Sequence, residues 1–495
     1  MGLLFALSPI LVVTVGALLL MLAEAFSKKT NQGDLALGTA VVLFAGAATS
    51  IGVWLAGPEG LEGAGALAPY LLVDRFSMFM SFVICLGGAM AALLAGGYMP
   101  EHGLDRGEFY PLMMFSSVGA IMLAEAGDLL SLFIGLETMS LGVYAMTGFR
   151  RSSRRSTEAS MKYFLLGSFA AAILLYGGAL LYGATGRTDL AGIGQSIAGG
   201  GASLPLVVVG LMLVLVGLVF KVSAVPFHMW TPDAYEGAPT PATTFMAVAV
   251  KSAAFATMLR VLLLSFGDAD SASWGAGWPP VLAGLAVLTM TVANLIAGRQ
   301  ESVKRMLAYS SIAHAGYVLV GVVATIRQNG HEAEGAVLFY LLTYTVSTAG
   351  AFGALILCGR RGAEATSYED LAGIGKRHPG AALAFSLFLL SLAGVPPTAG
   401  FFGKFYIFRA AIFGGGGLYW LAVVGLLNSV IGAYYYLRVI VYMYMREPAP
   451  GAPIAIPMRS GYVAFALLAC AILVLALGIF PGSSLDLALH APVRG

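Results

Sequence analysis

The chain has 495 residues, of which 27 are Lys or Arg and 25 are Asp or Glu, so charged residues make up 11%, whereas an average soluble domain has roughly 25%. Hydrophobic residues make up 59% and fall into runs of about 20, the length of a helix that crosses a bilayer. This composition excludes a soluble enzyme, and a net charge of +2 with the basic residues in short loops gives no sign of a nucleic-acid partner.

Hydropathy predicts an all-α, polytopic membrane protein with about fourteen transmembrane spans. The seventh and twelfth spans are too long for one straight crossing. The predicted spans are, in chain order, 3–26, 35–56, 74–98, 109–126, 128–148, 157–183, 203–238, 241–264, 279–298, 302–325, 334–358, 381–413, 417–445 and 460–481.

The distribution of basic residues between the loops predicts the orientation of the chain. No Lys or Arg precedes the first span, whereas Lys28 and Lys29 follow it, which favours an uncleaved helix whose N-terminus lies outside. With this orientation sixteen cations lie in loops on the inside, including Arg360 and Arg361, and four lie outside, including Arg494. The excess on the inside supports the predicted spans.

Similar segments recur at similar offsets along the chain, which predicts an internal repeat. EASMKYFLL at 158–166 resembles EGAVLFYLL at 334–342, and MLRV at 258–261 resembles YLRV at 436–439. The fourth to eighth and the ninth to thirteenth spans would form two five-helix repeats, and since five is odd the second is inverted relative to the first. The predicted domains are an N-terminal group of three helices over 1–108, a first repeat over 109–264, a second repeat over 279–445 and a C-terminal helix within 446–495.

Each predicted repeat contains one broken helix. The seventh span is interrupted after Lys221 by VSAVPFHMW, which includes His228, and the twelfth is interrupted by GVPPTAG shortly before Lys404. Proline cannot donate a backbone hydrogen bond and clashes with the preceding turn, so it frees carbonyl groups nearby. One proline kink is commonly a packing feature, but breaks at corresponding places in two repeats indicate an ion or substrate pathway. Non-helical backbone at this depth is tolerated only in a protein interior or beside water.

Two charged residues lie near the middle of predicted spans. Lys251 and Glu137 are each about ten residues into the eighth and the fifth span. A lysine at this depth costs about 2.5–3.5 kcal/mol on insertion scales, so Lys251 is expected to face a hydrated interior or an acidic partner such as Glu137. Burial disfavours both charges and mutual attraction favours them, so their proton affinity would depend on their separation, as a proton relay requires.

Other ionisable residues in the spans allow more than one interpretation. Lys162 has Glu158 four residues earlier, which fits a local ion pair near the inner surface as well as a relay role. His314, in the middle of the tenth span, fits a hydrogen-bonded core residue or a proton carrier. Glu125 lies near the end of a span and is assigned no role. Three arginines near span ends are interpreted as anchors that snorkel toward the interface: Arg260, Arg409 and Arg438.

The cysteines and glycines argue against several kinds of site. Cys85, Cys358 and Cys470 are far apart, and no C-x-x-C pair or nearby histidine has metal-ligand spacing. Iron–sulfur, structural zinc and disulfide frameworks are therefore not expected. No phosphate-binding loop is found despite 64 glycines, which fit close-packing positions between membrane helices.

Four segments make the chain similar to a known family over essentially its whole length. They are KVSAVPFHMWTPDAYEGAPTP at 221–241, LSLAGVPPTAGFFGKFYIF at 390–408, GLETMSLGVYAM at 135–146 and SSIAHAGY at 310–317. The segments resemble the antiporter-like membrane subunits of bacterial respiratory complex I, the proton-translocating NADH–quinone oxidoreductase, and the related Mrp-type sodium–proton antiporter subunits. Among these, YEGAPT at 235–240 resembles the N type, and Lys404 departs from the glutamate usual in subunit M.

The resemblance implies a role in proton transfer for the matching residues. Glu137 and Lys221 would form the charge pair of a first half-channel, Lys251 would be a connecting lysine, His314 a bridge, and Lys404 the gate of a second half-channel. The complete set of relay candidates is Glu137, Lys162, Lys221, His228, Lys251, His314 and Lys404.

The resemblance also implies a translocase subunit that couples quinone reduction to proton transfer and holds no cofactor of its own. NADH, FMN, iron–sulfur clusters and quinone would belong to partner subunits. The other partners would be membrane-arm subunits, the lipid bilayer and protons. The location would be the bacterial inner (plasma) membrane, with both termini on the periplasmic side.

Three alternatives stay open from the sequence. A Mrp-type cation/proton antiporter would have the same architecture and no redox partner. A haem-bearing cytochrome would need His228 and His314, the two histidines within the spans, as an axial pair. A membrane scaffold without transport is disfavoured by the four lysines within the spans.

Overall fold

The computed structural model describes residues 2–26, 33–57, 64–327, 330–359, 362–414, 417–448 and 457–493. Within these ranges the chain is almost entirely helical, and its only extended pairings are three isolated β-bridges. Some residues on which the predicted orientation rests lie outside the described ranges, namely Lys28, Lys29, Arg360, Arg361 and Arg494.

A helix occupies each of the fourteen predicted spans, so the predicted all-α polytopic class is confirmed. Twelve helices of the described chain are long and apolar enough to cross a membrane, and two shorter apolar helices, Phe109–Glu125 and Pro379–Ala393, complete the set. The helices are α1 Ser8–Phe26, α2 Gly33–Leu55, α3 Arg75–Glu101, α4 Phe109–Glu125, α5 Leu129–Thr147, α6 Arg154–Thr185, α7a Leu204–Val222, α7b Trp230–Gly237, α8 Thr240–Ser265, α9 Trp278–Ala297, α10 Val303–Ala324, α11 Gly330–Leu357, α12a Pro379–Ala393, α12b Ala399–Phe413, α13 Tyr419–Met445 and α14 Gly461–Ile479.

Isolated β-bridges pair residues next to the ends of different helices, namely Leu71 with Ala126, Asp128 with Asp189 and Ser302 with Ser367, so the loops lie at two ends of the bundle. We call the end that contains loops 148–153 and 298–302 the arginine-rich end. The end that contains loops 126–128 and 266–277 is called the opposite end. The sequence predicts that the arginine-rich end faces the inside of the cell.

Polar residues at helix starts explain where several helices begin. Asp74 and Ser77 form a reciprocal capping box at the start of α3, in which each side chain accepts the other residue's backbone N–H. Asp128 and Ser302 likewise accept backbone N–H groups at the starts of α5 and α10. These caps satisfy amides that the first helical turn leaves unpaired. Because each cap sets the residue at which its helix begins, it also sets the depth in the bundle at which the later residues of that helix lie.

Glycines bring α4 and α5 into backbone contact. A Cβ atom on Gly119 of α4 would lie 2.3 Å from the Met139 nitrogen, and one on Gly135 of α5 would lie 2.9 Å from the Leu123 nitrogen. A side chain larger than hydrogen therefore does not fit at either position. The close-packing role predicted for the glycines is confirmed at this contact.

The same pairs of helices contact each other in the two halves of the chain. α4 packs on α5 as α9 packs on α10, α6 packs on α7a and α7b as α11 packs on α12a and α12b, and α4 contacts α8 as α9 contacts α13. α3, α8, α10 and α11 form the buried centre of the bundle. The pairs agree with two five-helix units, although the division into these units stays a prediction.

Both broken helices are present where the sequence predicts them. α7a is followed by Ser223 with φ 67°, and α12a is followed by Gly394 with φ 90°. A left-handed residue at this position ends a helix. The apex of each break reaches the surface of the chain, where Met229 is 67% exposed and Val395 is 40% exposed. Because non-helical backbone is not tolerated against lipid, cover for each apex has to come from water or another chain.

Candidate functional site

Lys221 lies in the last turn of α7a, buried against α5 and α6. Its Nζ donates a hydrogen bond to Ser140 Oγ at 2.7 Å and lies 5.5 Å and 5.4 Å from the ring centroids of Tyr144 and Tyr163. Only 4% of the residue is exposed. The ring faces stabilise the ammonium group without a formal counter-charge.

Glu137 lies on α5 three residues before Ser140, so the two side chains share one face of that helix. Glu137 interacts electrostatically with Lys221. Ser140, however, takes the hydrogen bond from the lysine, and Glu137 Oε1 is buried without a hydrogen-bond partner among the described residues. Lys251 donates elsewhere, to Ser311. Glu137 therefore accompanies Lys221, and its suggested pairing with Lys251 is wrong.

A groove of about 520 Å³ between α5 and α6 connects the arginine-rich end with Tyr144. Its lining includes Arg151, Thr157 and Tyr144. Because the ring centroid of Tyr144 lies 5.5 Å from Lys221 Nζ, the lining of the groove comes close to this lysine.

Lys251 connects α8 to α10. The residue is 3% exposed, and its Nζ donates to the backbone oxygen of Ser311 at 2.7 Å and also to Ser311 Oγ. The ring centroid of Tyr344, on α11, lies 6.0 Å from Nζ. A π-helical turn at Met246–Val250 comes immediately before Lys251, and such turns are frequent at functional sites. Lys251 thus bridges the two predicted repeats.

His314 lies on α10 and is enclosed by tyrosines. Its Nδ1 lies 2.6 Å from the hydroxyl of Tyr340, and its Nε2 lies 3.1 Å from the hydroxyl of Tyr436. The ring centroids of Tyr344 and Tyr317 lie 5.1 Å and 5.5 Å from the imidazole centroid. Both ring nitrogens therefore have hydroxyl partners.

Lys404 lies near the start of α12b and binds the end of α12a. Its Nζ donates to the carbonyl oxygens of Leu392 and Ala393 and to Ser429 Oγ, each at 2.9 Å. The ring centroid of Tyr317 lies 5.0 Å from Nζ. The break in α12 leaves carbonyls at the end of α12a without helical amide donors. The lysine takes the place of those donors.

The break in α7 is stabilised by other residues. Trp230 Nε1, on α7b, donates to the Phe220 carbonyl at 3.1 Å, and the Val225 amide donates to Thr289 Oγ1 on α9 at 3.0 Å. The sequence predicts free carbonyls near Lys221, but the one at Phe220 accepts hydrogen bonds from both the Ser223 amide and the Trp230 indole. Lys221, unlike Lys404, is therefore not tied to the backbone of its own broken helix.

Two tyrosine rings link Lys251, His314 and Lys404. The Tyr344 ring is close to both Lys251 and His314, and the Tyr317 ring is close to both His314 and Lys404. A cavity of about 10 Å³ beside His314 has space for about one water molecule. Together these groups form a buried path from α8 to α12b.

Lys162 does not join the buried lysines. Its side chain is 44% exposed and pairs with Glu158 at 2.7 Å and with Asp233 of α7b at 2.9 Å. Asp233 also pairs with Arg305, at the start of α10, at 2.8 Å. This exposed network agrees with the local ion-pair interpretation of Lys162.

His228 lies at the apex of the α7 break, beside the exposed Met229. Its Nδ1 is buried without a hydrogen-bond partner among the described residues. His228 is therefore half-buried at the apex of the break, and no hydrogen bond within the described residues links it to Lys221.

Sequence reasoning missed the hydroxyl groups that hold the lysines. Ser140 follows Glu137 by three residues, and Ser311 precedes His314 by three. This spacing places each serine on the same helix face as an ionisable residue already selected, so it could have identified them.

Residues 126–432 match the family described as NADH:quinone oxidoreductase/Mrp antiporter, TM. The chain is 71% identical to NADH-quinone oxidoreductase subunit N 1 of Sorangium cellulosum (strain So ce56), over 98% of each chain. It is 43% identical to NADH-quinone oxidoreductase subunit N of Myxococcus xanthus (strain DK1622), over 96% of this chain and 95% of that relative.

Solved structures agree with these matches. A chain of respiratory complex I from Thermus thermophilus with bound aureothin is 34% identical, with a TM-score of 0.77 over 97% of this chain and 99% of that chain. A chain of the Mrp complex from Dietzia sp. DQ12-45-1b, 24% identical, has a TM-score of 0.83 over 99% and 97%, and it shows the shared fold alone. This chain therefore belongs to the transmembrane family of NADH:quinone oxidoreductases and Mrp antiporters, and within it to the NADH-quinone oxidoreductase subunit N group.

Proposed function

We propose that this chain moves protons across the membrane as subunit N of a complex that couples quinone reduction to proton transfer. The observation that carries the proposal is the buried path from Lys251 through His314 to Lys404, joined by the rings of Tyr344 and Tyr317. Ammonium and imidazole groups bind and release protons. A charged residue is costly to insert into a membrane, so its presence within a span indicates a function.

Protons would reach this path through the groove at the arginine-rich end, which extends to Tyr144 beside Lys221. A change in the charge of Glu137 would change the charge that Lys221 can hold. Lys251 would then pass its proton through His314 to Lys404, and the proton would leave on the far side. Each lysine becomes a neutral amine on giving up its proton and is reset by the next one.

The energy involved is within reach of small changes in the site. Moving one charge against the membrane potential costs about 2.3 kcal/mol per 100 mV. One pKa unit corresponds to about 1.4 kcal/mol, so about two units at one group match this cost. A change in the distance between two buried charges changes their interaction energy by an amount of this size.

The proposal includes the partners and the location. The exposed apexes of α7 and α12 support neighbouring membrane-arm subunits as cover. NADH, FMN, iron–sulfur clusters and quinone would be bound by partner subunits and none by this chain. The predicted inverted repeats, 109–264 and 279–445, would lie in the bacterial inner membrane with both termini on the periplasmic side.

The first test is replacement of Lys251 by Ala in the assembled complex. Proton yield per NADH, measured in proteoliposomes, is expected to fall severalfold because the amine that links α8 to α10 is lost. The control is Lys376→Ala, since the Lys376 side chain is 70% exposed, in the short helix Ile374–Arg377, and its proton yield should equal that of the parent complex. A normal yield in Lys251→Ala contradicts the relay.

A cation/proton antiporter is the alternative, because the fold is shared with a Mrp complex chain. It predicts sodium–proton exchange driven by an ion gradient in vesicles that lack NADH dehydrogenase. The quinone-coupled function predicts no exchange there, together with co-purification of this chain with flavin and iron–sulfur subunits.

A further inference from the structure

At the opposite end, Arg260 of α8 is wholly buried and does not snorkel as predicted. Its Nη1 and Nη2 donate to the two carboxylate oxygens of Asp74 at 2.9 Å and 2.7 Å. Its Nε donates to the Ala124 carbonyl at 2.8 Å, and Nη2 also donates to the Leu72 carbonyl at 3.2 Å. Asp74 thus balances the arginine charge in a bidentate pair.

Glu125, the last residue of α4, is a second carboxyl beside this pair. It is 1% exposed, and neither carboxyl oxygen has a hydrogen-bond partner among the described residues. The charged groups that act on it are Arg260 and Asp74, and the remaining titratable neighbour is the buried Cys85 thiol. A buried carboxylate without a hydrogen bond or a counter-charge of its own is very costly. The structure therefore favours the neutral acid at Glu125.

The position of Glu125 is suited to proton release. Arg260 follows Lys251 by nine residues on α8, about 13 Å along the helix axis toward the opposite end. Asp74 is 35% exposed and so connects the cluster with the surface. Two carboxyls that share one arginine can exchange a single proton between them.

We propose that Glu125, with the Asp74–Arg260 pair, is a proton-holding site on a branch from Lys251 to the opposite surface, in addition to the exit beyond Lys404. The O–H bond of Glu125 breaks as an O–H bond forms on Asp74, and Arg260 then pairs with the Glu125 carboxylate. Asp74 passes the proton to water. A proton from the interior returns to Glu125, and Asp74 regains Arg260. This inference rests on the proposed role of the chain in proton transfer.

The test uses NADH-induced infrared difference spectra of the whole purified complex. A carboxylic-acid C=O band that shifts in D2O is expected from Glu125. Glu125→Gln should remove it, and Asp270→Asn, which alters an exposed carboxyl at the same end, should retain it. Proton yield per NADH should fall in Glu125→Gln, because this branch is lost while the exit beyond Lys404 remains, and it should stay normal in Asp270→Asn.

A second variant tests the site without altering Glu125. In Asp74→Asn, Glu125 becomes the only carboxylate available to Arg260, so the acid band is expected to be lost. A band that persists in Glu125→Gln or in Asp74→Asn overturns the assignment.

The proton yields separate this site from the proposed function. If Glu125→Gln pumps normally while Lys251→Ala does not, the Glu125 site is wrong and the relay stands. If both variants pump normally, the relay is wrong and the Glu125 site is wrong with it.

Discussion

Three of the buried lysines, Lys221, Lys251 and Lys404, share one kind of environment, whereas the fourth, Lys304, pairs with Glu364. Each of the three donates to serine or carbonyl oxygens and faces a tyrosine ring, and no carboxylate of the described chain hydrogen-bonds to any of the three. A lysine in a buried ion pair cannot lose its proton without leaving an uncompensated carboxylate. Neutral acceptors remove this obstacle, so each lysine can alternate between charged and neutral forms.

Ser311 is expected to be a positioning residue for Lys251. Ser311→Ala removes the hydroxyl but keeps the carbonyl that Lys251 also binds. A hydrogen bond to a charged group contributes about 1.5–3 kcal/mol, so we expect proton transfer to slow by about tenfold or more while the complex still assembles. Pumping rates in proteoliposomes measure this.

The matched control for Ser311→Ala is Ser117→Ala, since the Ser117 hydroxyl is buried but bonds only a carbonyl of its own helix. It should leave the rate unchanged. Equal rates in the two variants would show that the Ser311 hydroxyl does not position Lys251.

At the scale of helices, the two breaks differ in what holds them. In α12, Lys404 itself binds the carbonyls freed at the end of α12a, whereas in α7 the Phe220 carbonyl accepts from the Ser223 amide and the Trp230 indole, which leaves Lys221 free to bind Ser140. Proton binding and release at Lys404 are therefore coupled to the packing of α12a on α12b. The same coupling is absent from α7.

The contact between α4 and α5 allows a test of helix packing. Gly119→Ala would place a methyl group 2.3 Å from the Met139 nitrogen, so the helices must separate, and overpacking typically costs about 1–3 kcal/mol. We expect a lower unfolding temperature in detergent and reduced pumping, because α5 carries Glu137 and Ser140.

Gly183→Ala is the control for this packing test, because a Cβ at Gly183 of α6 meets no atom within 4 Å. It should leave stability unchanged or slightly higher, since alanine is the better helix former. The same loss of stability in both variants would contradict a specific role for the glycine contact.

At the scale of the whole molecule, one polar cluster at the arginine-rich end joins the two halves. Glu364, in the loop between α11 and α12a, accepts hydrogen bonds from Thr240 of α8 at 2.6 Å, from Lys304 of α10 at 2.9 Å and from Tyr98 of α3. Lys304 also donates to the Ala238 carbonyl at 2.7 Å. The cluster ties the central helices together at one end, while Lys251 ties α8 to α10 at mid-depth.

Glu364 is expected to stabilise the fold over a defined pH range. Burial raises the pKa of its carboxyl, but the Lys304 charge and the hydrogen bonds from Thr240 and Tyr98 outweigh this effect and hold the pKa at about 2, below its ordinary value of 4.5. The carboxylate's contribution is therefore complete above pH 4.5 and is lost as the pH falls toward 2.

Glu364→Gln should lower the free energy of unfolding by about 3 kcal/mol, because it leaves the buried Lys304 charge unpaired. Unfolding curves in detergent should show the same deficit from pH 8 to about pH 5 and a smaller one in more acidic buffer. Glu301→Gln, at an exposed position of the same end, is the control. A deficit that grows on acidification would contradict this account.

The sequence by itself determined the number of spans, the two broken helices and the burial of Lys221, Lys251 and Lys404. Each of these is a local property, set by the cost of placing polar groups and non-helical backbone in hydrocarbon over windows of about 20 residues. Only the tertiary structure decided which side chains meet: it chose Lys221 over Lys251 as the neighbour of Glu137, paired Arg260 with Asp74, and left Lys162 in an exposed ion-pair network. Such partners lie 71 to 186 residues apart, and the rotation of each helix about its axis, which hydropathy does not encode, decides whether they face each other.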